Sequence, residues 1–138
     1  MRTRLSVYSD GGARGNPGPA AIAFLVLAEN GQVLKSGSRY LGKRTNNQAE
    51  YEALIAALEA AKAIGSEEVT CHLDSEVVAK HLKGEYRVRN PDLRKLWIKV
   101  QELKQSFGMV NFVNVPRTNS YIQEADALVN LELDKSVE

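Results

Sequence analysis

The hydrophobic period of this chain switches at residue 46, and that switch limits its architecture more than any other feature. Upstream, residues 3–10 (TRLSVYSD) alternate with Leu5 and Val7 on one face, and 20–28 (AAIAFLVLA) form a continuous apolar run. Residues 32–41 (QVLKSGSRYL) form a further extended segment. The turn-rich GGARGNPGP separates the first two segments, and Glu29-Asn30-Gly31 the second pair, where Asn-Gly favours a tight hairpin. Three strands joined in this way predict an antiparallel meander. From Asn46 to Ala63, Tyr51, Leu54, Ile55, Leu58 and Ala61 recur at three- and four-residue spacing, as an amphipathic helix requires. Thr45 or Asn46 can cap that helix and Gly65 can end it. Residues 68–74 (EVTCHLD) read as a buried strand, and roughly 75–83 as a short helix. Asn90-Pro91 opens another helix, carrying Leu93, Leu96, Trp97, Val100 and Leu103. Gly108 precedes a last strand, MVNFVNV, and Asn119 or Ser120 caps a final helix with Ile122, Ala125, Leu128, Val129 and Leu131 on its apolar side. The order is βββ-α-β-α-α-β-α. Helical crossovers between the later strands imply parallel pairing in a mixed α/β sheet.

With 138 residues and neither repeat nor linker, residues 1–138 are expected to form one domain. No apolar run approaches the ~20 residues needed to cross a bilayer. MRTRLSVYSD does not read as a signal peptide. The single cysteine, Cys71, has no intramolecular disulfide partner, which favours a reducing, cytoplasmic setting. The net charge of +1 conceals a local concentration of cations, Lys80, Lys83, Arg87, Arg89, Arg94, Lys95, Lys99 and Lys104, suited to attracting phosphate. Taken singly, most of these residues fit a solvated helix face equally well.

Four acids occupy informative places. Asp10 ends the first predicted strand before a glycine turn, Glu50 lies in the first turns of the first helix, Asp74 ends the fourth strand, and Asp126 lies early in the last helix. Sites in open α/β sheets form beyond the carboxyl ends of strands, so Asp10 and Asp74 on adjacent strands can converge there, joined by Glu50 from a helix starting at that edge. Clustered carboxylates repel one another unless a cation neutralises them. Oxygen ligands without an accompanying Cys or His set select magnesium or manganese over zinc. Two such ions about 4 Å apart activate a water and stabilise the leaving oxygen in phosphodiester hydrolysis. On placement alone the merely solvated role, the usual fate of an isolated Asp or Glu, stays ahead. Gly12, Gly15 and Gly18 are spaced G-x-x-G-x-x-G, which matches neither the dinucleotide fingerprint nor a P-loop, and a tight turn accounts for them better.

The wording around each acid is more specific. YSDGGARGNPGPAAIA around Asp10, TNNQAEYEALIAAL around Glu50, LDSEVV around Asp74 and NSYIQEADAL around Asp126 resemble ribonuclease H type 1, in the family order and across nearly the whole chain. The resemblance implies the ribonuclease H-like fold, a five-stranded mixed sheet flanked by helices, in which a three-strand antiparallel meander joins two parallel strands. It implies an endoribonuclease that cuts the RNA strand of RNA–DNA hybrids with two Mg2+ ions (or Mn2+), leaving 5′-phosphate and 3′-hydroxyl ends. Asp10, Glu50, Asp74 and Asp126 would be the metal-binding catalytic carboxylates, with Asp10 bridging both ions and Glu50 near the RNA sugar. Asn16, Asn46 and Asn47 match family positions touching the hybrid's minor groove and backbone, and Thr45 with Asn47 resembles a pocket for a DNA-strand phosphate. Amides both donate and accept, which suits recognition of 2′-hydroxyls without regard to sequence. Helix capping by Thr45 and Asn46 and turn formation by Asn16 are the competing roles, compatible with binding.

The chain departs from the family pattern in three places. Where many bacterial members carry a loop histidine before the last acid, VPRTNSYIQEAD has none, and Arg117 is the nearest candidate. A permanent cation can stabilise phosphate charge but cannot act as a base at neutral pH. His72 in a strand and His81 on a helix suit core or surface roles instead. After Asp74-Ser75 the family often has an RNA-contacting Gln; here Glu76 stands as a weaker substrate-contact candidate. The basic insertion of some relatives is also missing, since Asp74 and Asn90 are only 16 positions apart. This pattern resembles archaeal-like members, some of which accept double-stranded RNA. Glu52 is expected on the surface, and a monomer is expected in solution. Two other classes stay open: a catalytically weak module binding hybrid or double-stranded RNA, and another two-metal nuclease on the same fold, such as an integrase or resolvase.

Overall fold

A computed structural model describes residues 3–137. The elements follow the order β1 (Arg4–Ala13), β2 (Gly18–Ala28), β3 (Val33–Arg44), α1 (Asn46–Ile64), β4 (Glu68–Leu73), α2 (Glu76–Leu82), α3 (Pro91–Lys104), β5 (Met109–Asn114) and α4 (Ser120–Ser136). The sheet order is β3-β2-β1-β4-β5. The first three strands pair antiparallel, while β1–β4 and β4–β5 are parallel. This is the architecture expected from the switch in period.

Strand β2 is continuously apolar because helices cover both of its faces. Phe24 and Val26 join Leu5, Val7, Val69 and Cys71 in a core under α1 and α3, completed by the buried Tyr51, Leu54 and Leu58 of α1. Each buried leucine there contributes roughly 1.5–3 kcal/mol of transfer free energy. On the opposite face, Ala21 and Ala23 present methyl groups to Ala125, Val129 and Leu133 of α4. These small side chains let α4 lie close against the sheet.

Helix boundaries follow local chemistry. Thr45 is the N-cap of α1: its hydroxyl accepts from the Gln48 N–H at 3.1 Å while Gln48 Oε1 accepts from the Thr45 N–H at 2.8 Å, a reciprocal capping box. Gly65, with φ 88°, ends the helix. Asn90 caps α3 ahead of Pro91, and Asn119 caps α4 by accepting from the N–H groups of Tyr121 and Ile122.

Two expectations from the sequence are corrected. Strand β1 continues to Ala13, pairing Gly11 with Ile22 and Gly12 with Ala21, so Asp10 lies within the strand instead of ending it, and the turn occupies 14–17. Of the spaced glycines, only Gly15 needs a positive φ (108°) for that turn. Leu131 is 52% exposed, and Leu133 occupies the apolar stripe of α4 in its place. Among the described residues, no helix is long and apolar enough to cross a membrane.

Candidate active site

Strands β1 and β4 run parallel with Tyr8 opposite His72. Two residues further along each chain come Asp10 and Asp74, on the same face of the sheet by the two-residue repeat of a strand. Asp74 immediately follows β4, where the Leu73 carbonyl accepts from the Val115 N–H at 2.9 Å and from Asn114 Nδ2 at 3.1 Å. Those bonds fix the strand end from which Asp74 projects.

Glu50 reaches the same point from α1, and a glycine makes the approach possible. A Cβ on Gly11 would collide with the Ala49 carbonyl, so only glycine lets the first turns of α1 lie against β1 here. The Gly11 N–H then donates to Glu50 Oε1 at 2.8 Å. The start of α1 is pinned a second time, because Ala13 N–H donates to Asn46 Oδ1 and Asn46 N–H donates to Asn16 Oδ1, both at 2.9 Å. Asn16 and Asn46 therefore join the β1–β2 turn to the helix start.

The result is three carboxylates, Asp10, Glu50 and Asp74, with oxygens within 4.8 Å of one another. Asp10 and Glu50 are only 6% and 7% exposed. Burial, then the facing charge of Asp74, pushes the Asp10 carboxyl up to about 7, and Asp126 adds a smaller push in the same direction. Burial, then the charges of Asp10 and Asp74, raises Glu50 well above the usual carboxylate range. Burial also raises Asp74, opposed by the Arg117 guanidinium. Glu50 Oε2 is buried without a hydrogen-bond partner among the described residues. A buried carboxyl oxygen lacking a donor, beside two further acids, fits a hard divalent cation. The donor set is all oxygen, which suits magnesium or manganese.

These acids line one side of an open cleft of about 460 Å³, and Asp126, Asn46, Asn47 and Arg117 line it too. Asp126 lies outside the tight group of three, exposed on α4 at the rim. Arg117 Nε stands 3.7 Å from Asp74 Oδ2 on a side chain almost wholly in solvent, a loose pair of little energetic weight. Thr45 caps α1 beside the cleft without lining it. Glu76 is turned away and pairs with Lys80 at 2.9 Å. Glu52 pairs with Arg44 at 2.8 Å and is half-buried, not simply on the surface.

His81 is buried with Nδ1 3.0 Å from the Tyr51 hydroxyl, and His72 stacks on Tyr8 with ring centroids 4.2 Å apart. Burial lowers the pKa of both histidines. Neither lines the cleft. The sequence reading missed Gln123, which lines the cleft one helical turn before Asp126, and Asn130, which bonds Asp126 one turn after it. Counting i−3 and i+4 along α4 from Asp126 is the signal that could have found both.

A five-stranded sheet in this order, with acids gathered on two neighbouring parallel strands and the helix between them, defines the ribonuclease H-like class of folds. The family described as reverse transcriptase-like matches residues 8–132. Ribonuclease HI of Halobacterium salinarum is 42% identical over 131 residues, covering 95% of this chain and 65% of that protein. A bifunctional protein of Mycobacterium tuberculosis is 38% identical over 137 residues, covering 98% of this chain and 37% of the other. This chain thus spans less than two thirds of either relative. The crystal structure of ribonuclease H1 from Halobacterium salinarum superposes with TM-score 0.91 at 42% identity, covering 96% of this chain and 98% of that one. That of LC11-RNase H1 in complex with an RNA/DNA hybrid gives 0.90 at 40% identity, covering 97% and 99%. The chain belongs to the ribonuclease H family, type 1.

Proposed function

We propose that this chain is an endoribonuclease that hydrolyses the RNA strand of RNA–DNA hybrids by a two-metal-ion mechanism, releasing 5′-phosphate and 3′-hydroxyl ends. The observation that carries the reading is the convergence of Asp10, Glu50 and Asp74, one oxygen of Glu50 being buried with no donor among the described residues. Family membership and the hybrid bound by a relative at 40% identity support the substrate class. The acids work against phosphate unless neutralised, so a pure binding module has no use for them.

Asp10, Glu50, Asp74 and Asp126 would hold Mg2+ (Mn2+ as substitute), which when bound offsets their charge and that of the phosphate and makes a nearby water more acidic. Asp10 and Glu50, fixed by strand and backbone, present oxygens already in place. Arg117, free at the cleft mouth, is positioned to meet a phosphate. As a permanent cation it steadies negative charge without moving a proton. Asn46 and Asn47 line the cleft and Asn16 is bonded to Asn46 outside that lining; together they would offer neutral amide groups to 2′-hydroxyls and sugars of a hybrid. Thr45 with Asn47 is assigned to a DNA-strand phosphate, and Glu76 contributes at most through the Lys80 it holds. In the reaction water attacks phosphorus, the bond from phosphorus to O3′ breaks, and O3′ leaves as the hydroxyl. We read residues 1–138 as one such unit, acting as a monomer in the cytoplasm, where the buried thiol of Cys71 stays reduced.

Labelled hybrid, duplex RNA and duplex DNA, each incubated with Mg2+ and with EDTA, test the reading. Metal-dependent cutting of the hybrid RNA strand, with 5′-phosphate ends by mass spectrometry, is expected, and the duplex RNA arm reports whether that substrate is accepted as well. Cleavage of duplex DNA, or cutting of the hybrid in EDTA, would overturn it.

A further inference from the structure

Asp126 differs from its three partners. Asp10 projects from within β1, Asp74 from the end of β4, and Glu50 is held by a backbone N–H, whereas Asp126 stands exposed on α4, where a carboxylate is ordinarily free to rotate. Here it is not free. Asn130, one helical turn on, donates through Nδ2 to Asp126 Oδ2 at 3.3 Å and to the Asp126 carbonyl at 3.1 Å. The Asn130 amide is itself oriented: Arg14 Nη2 donates to Asn130 Oδ1 at 3.4 Å and to Asp134 Oδ1 at 2.7 Å. A guanidinium offers only donors, so it draws the amide oxygen to itself and leaves the amide nitrogen facing Asp126. Arg14 belongs to the turn at the end of β1, whose own N–H donates to the Pro19 carbonyl at 2.8 Å. The chain Arg14–Asn130–Asp126 thus couples the strand that carries Asp10 to the helix that carries Asp126.

We propose that Asn130, oriented by Arg14, is a positioning residue that holds one oxygen of Asp126 and leaves the other turned toward the cleft for a divalent ion. This rests on the assignment of Asp126 as a metal ligand. A neutral donor is the right chemistry for the task. A Lys or Arg at position 130 would compete with the metal for the carboxylate, while an apolar residue would let the side chain rotate away. Partners that orient a ligand in this way typically alter metal affinity or activity by about 10–100-fold when removed.

Asn130→Ala and Asn130→Asp, with Asp126→Asn as control, provide the test. Ala is the better helix former at this exposed site, so Asn130→Ala should keep or slightly raise the melting temperature in EDTA. Asn130→Asp keeps the shape and the acceptor for Arg14 but removes the donor to Asp126. Two readouts are compared: the Mg2+ concentration for half-maximal hybrid cleavage, and Mn2+ binding followed by electron paramagnetic resonance with a 2′-O-methyl RNA–DNA duplex present. Both variants should need on the order of tenfold more metal in each assay, with cleavage recovering partly at high Mg2+. Arg14→Gln should show a smaller shift in the same direction. Wild-type metal dependence in Asn130→Asp would assign the residue a steric role only and overturn the proposal, as would an unchanged Asn130→Ala. If Asp126→Asn is impaired while both Asn130 variants are unchanged, the positioning claim fails and the assignment of Asp126 stands. If Asp126→Asn cleaves and binds metal as wild type does, the assignment fails and the proposal falls with it.

Discussion

Asp10→Asn in the metal-free protein should be more stable than the wild type, and the gain should vanish in acid. Asp10 is buried against two other acids, and its carboxyl is pushed up from 3.8 to about 7. At about 1.36 kcal/mol per unit, holding it ionised costs the metal-free fold at most ~4 kcal/mol. Asparagine removes that charge, and its amide can donate to the facing carboxylates. It remains a polar group that must be buried, so about half the ceiling, ~2 kcal/mol, is the expected gain. Unfolding entropy near 2.1 cal/mol/K per residue gives about 0.3 kcal/mol/K for 138 residues, so the melting temperature should rise by roughly 6–7 °C. The pH dependence follows from the direction of the shift. The folded state binds the proton more tightly than the unfolded one, so the destabilisation is absent below about pH 4, grows between 4 and 7, and is complete above about 7. Thermal unfolding followed by circular dichroism in EDTA at pH 8 and pH 5 measures both effects. Adding Mg2+ at pH 8 should then raise the wild type and leave the variant nearly unmoved. A variant no more stable than wild type at pH 8, or a gain of the same size at pH 5, would refute the electrostatic account of the cluster.

The same variant should lose hybrid cleavage, and retained activity would exclude Asp10 as a ligand. Gly11→Ala places a methyl group against the Ala49 carbonyl, a backbone atom that cannot step aside; we expect a loss of ~1–3 kcal/mol in urea unfolding and reduced cleavage, and an unchanged midpoint would show that α1 can retreat. Arg117→Ala should slow turnover more than it weakens hybrid binding. It should also move the acid limb of the rate profile to higher pH, because Arg117 opposes the upward shift of Asp74; an unaltered rate and profile would remove Arg117 from the reaction. The Mg2+ requirement should climb about tenfold per pH unit below about 7, as protons compete for Asp10, and a flat requirement between pH 7 and 5 would contradict that competition.

Much of this architecture was legible because it follows local chemistry. The helical spacing of Tyr51, Leu54 and Leu58, the caps at Asn90 and Asn119, and Asn30-Gly31 between β2 and β3 all act within a few residues. The failures came from distant partners. Gly11 and Gly12 read as turn residues because nothing nearby reveals that α1 will press on Gly11, while β2 extends the ladder past Asp10. Leu131 read as core because the sequence gives the apolar period of α4 but not which side the alanines of β2 will meet. The convergence of three acids could be argued from strand ends and family wording. The Gly11 bond to Glu50, the loose placement of Arg117 and the Arg14–Asn130 chain join residues too far apart for spacing to announce.

The bond between Gly11 and Glu50 has a consequence for anyone altering this protein. It ties Glu50 Oε1 to main chain, so the direction in which this carboxylate points is set by the domain and not by a neighbouring side chain. The proposed ligand on α4, Asp126, is exposed instead and rests on a side-chain bond from Asn130, which substitution can weaken or replace. Attempts to shift preference between small and large divalent ions should therefore vary the last helix and leave the first strand alone.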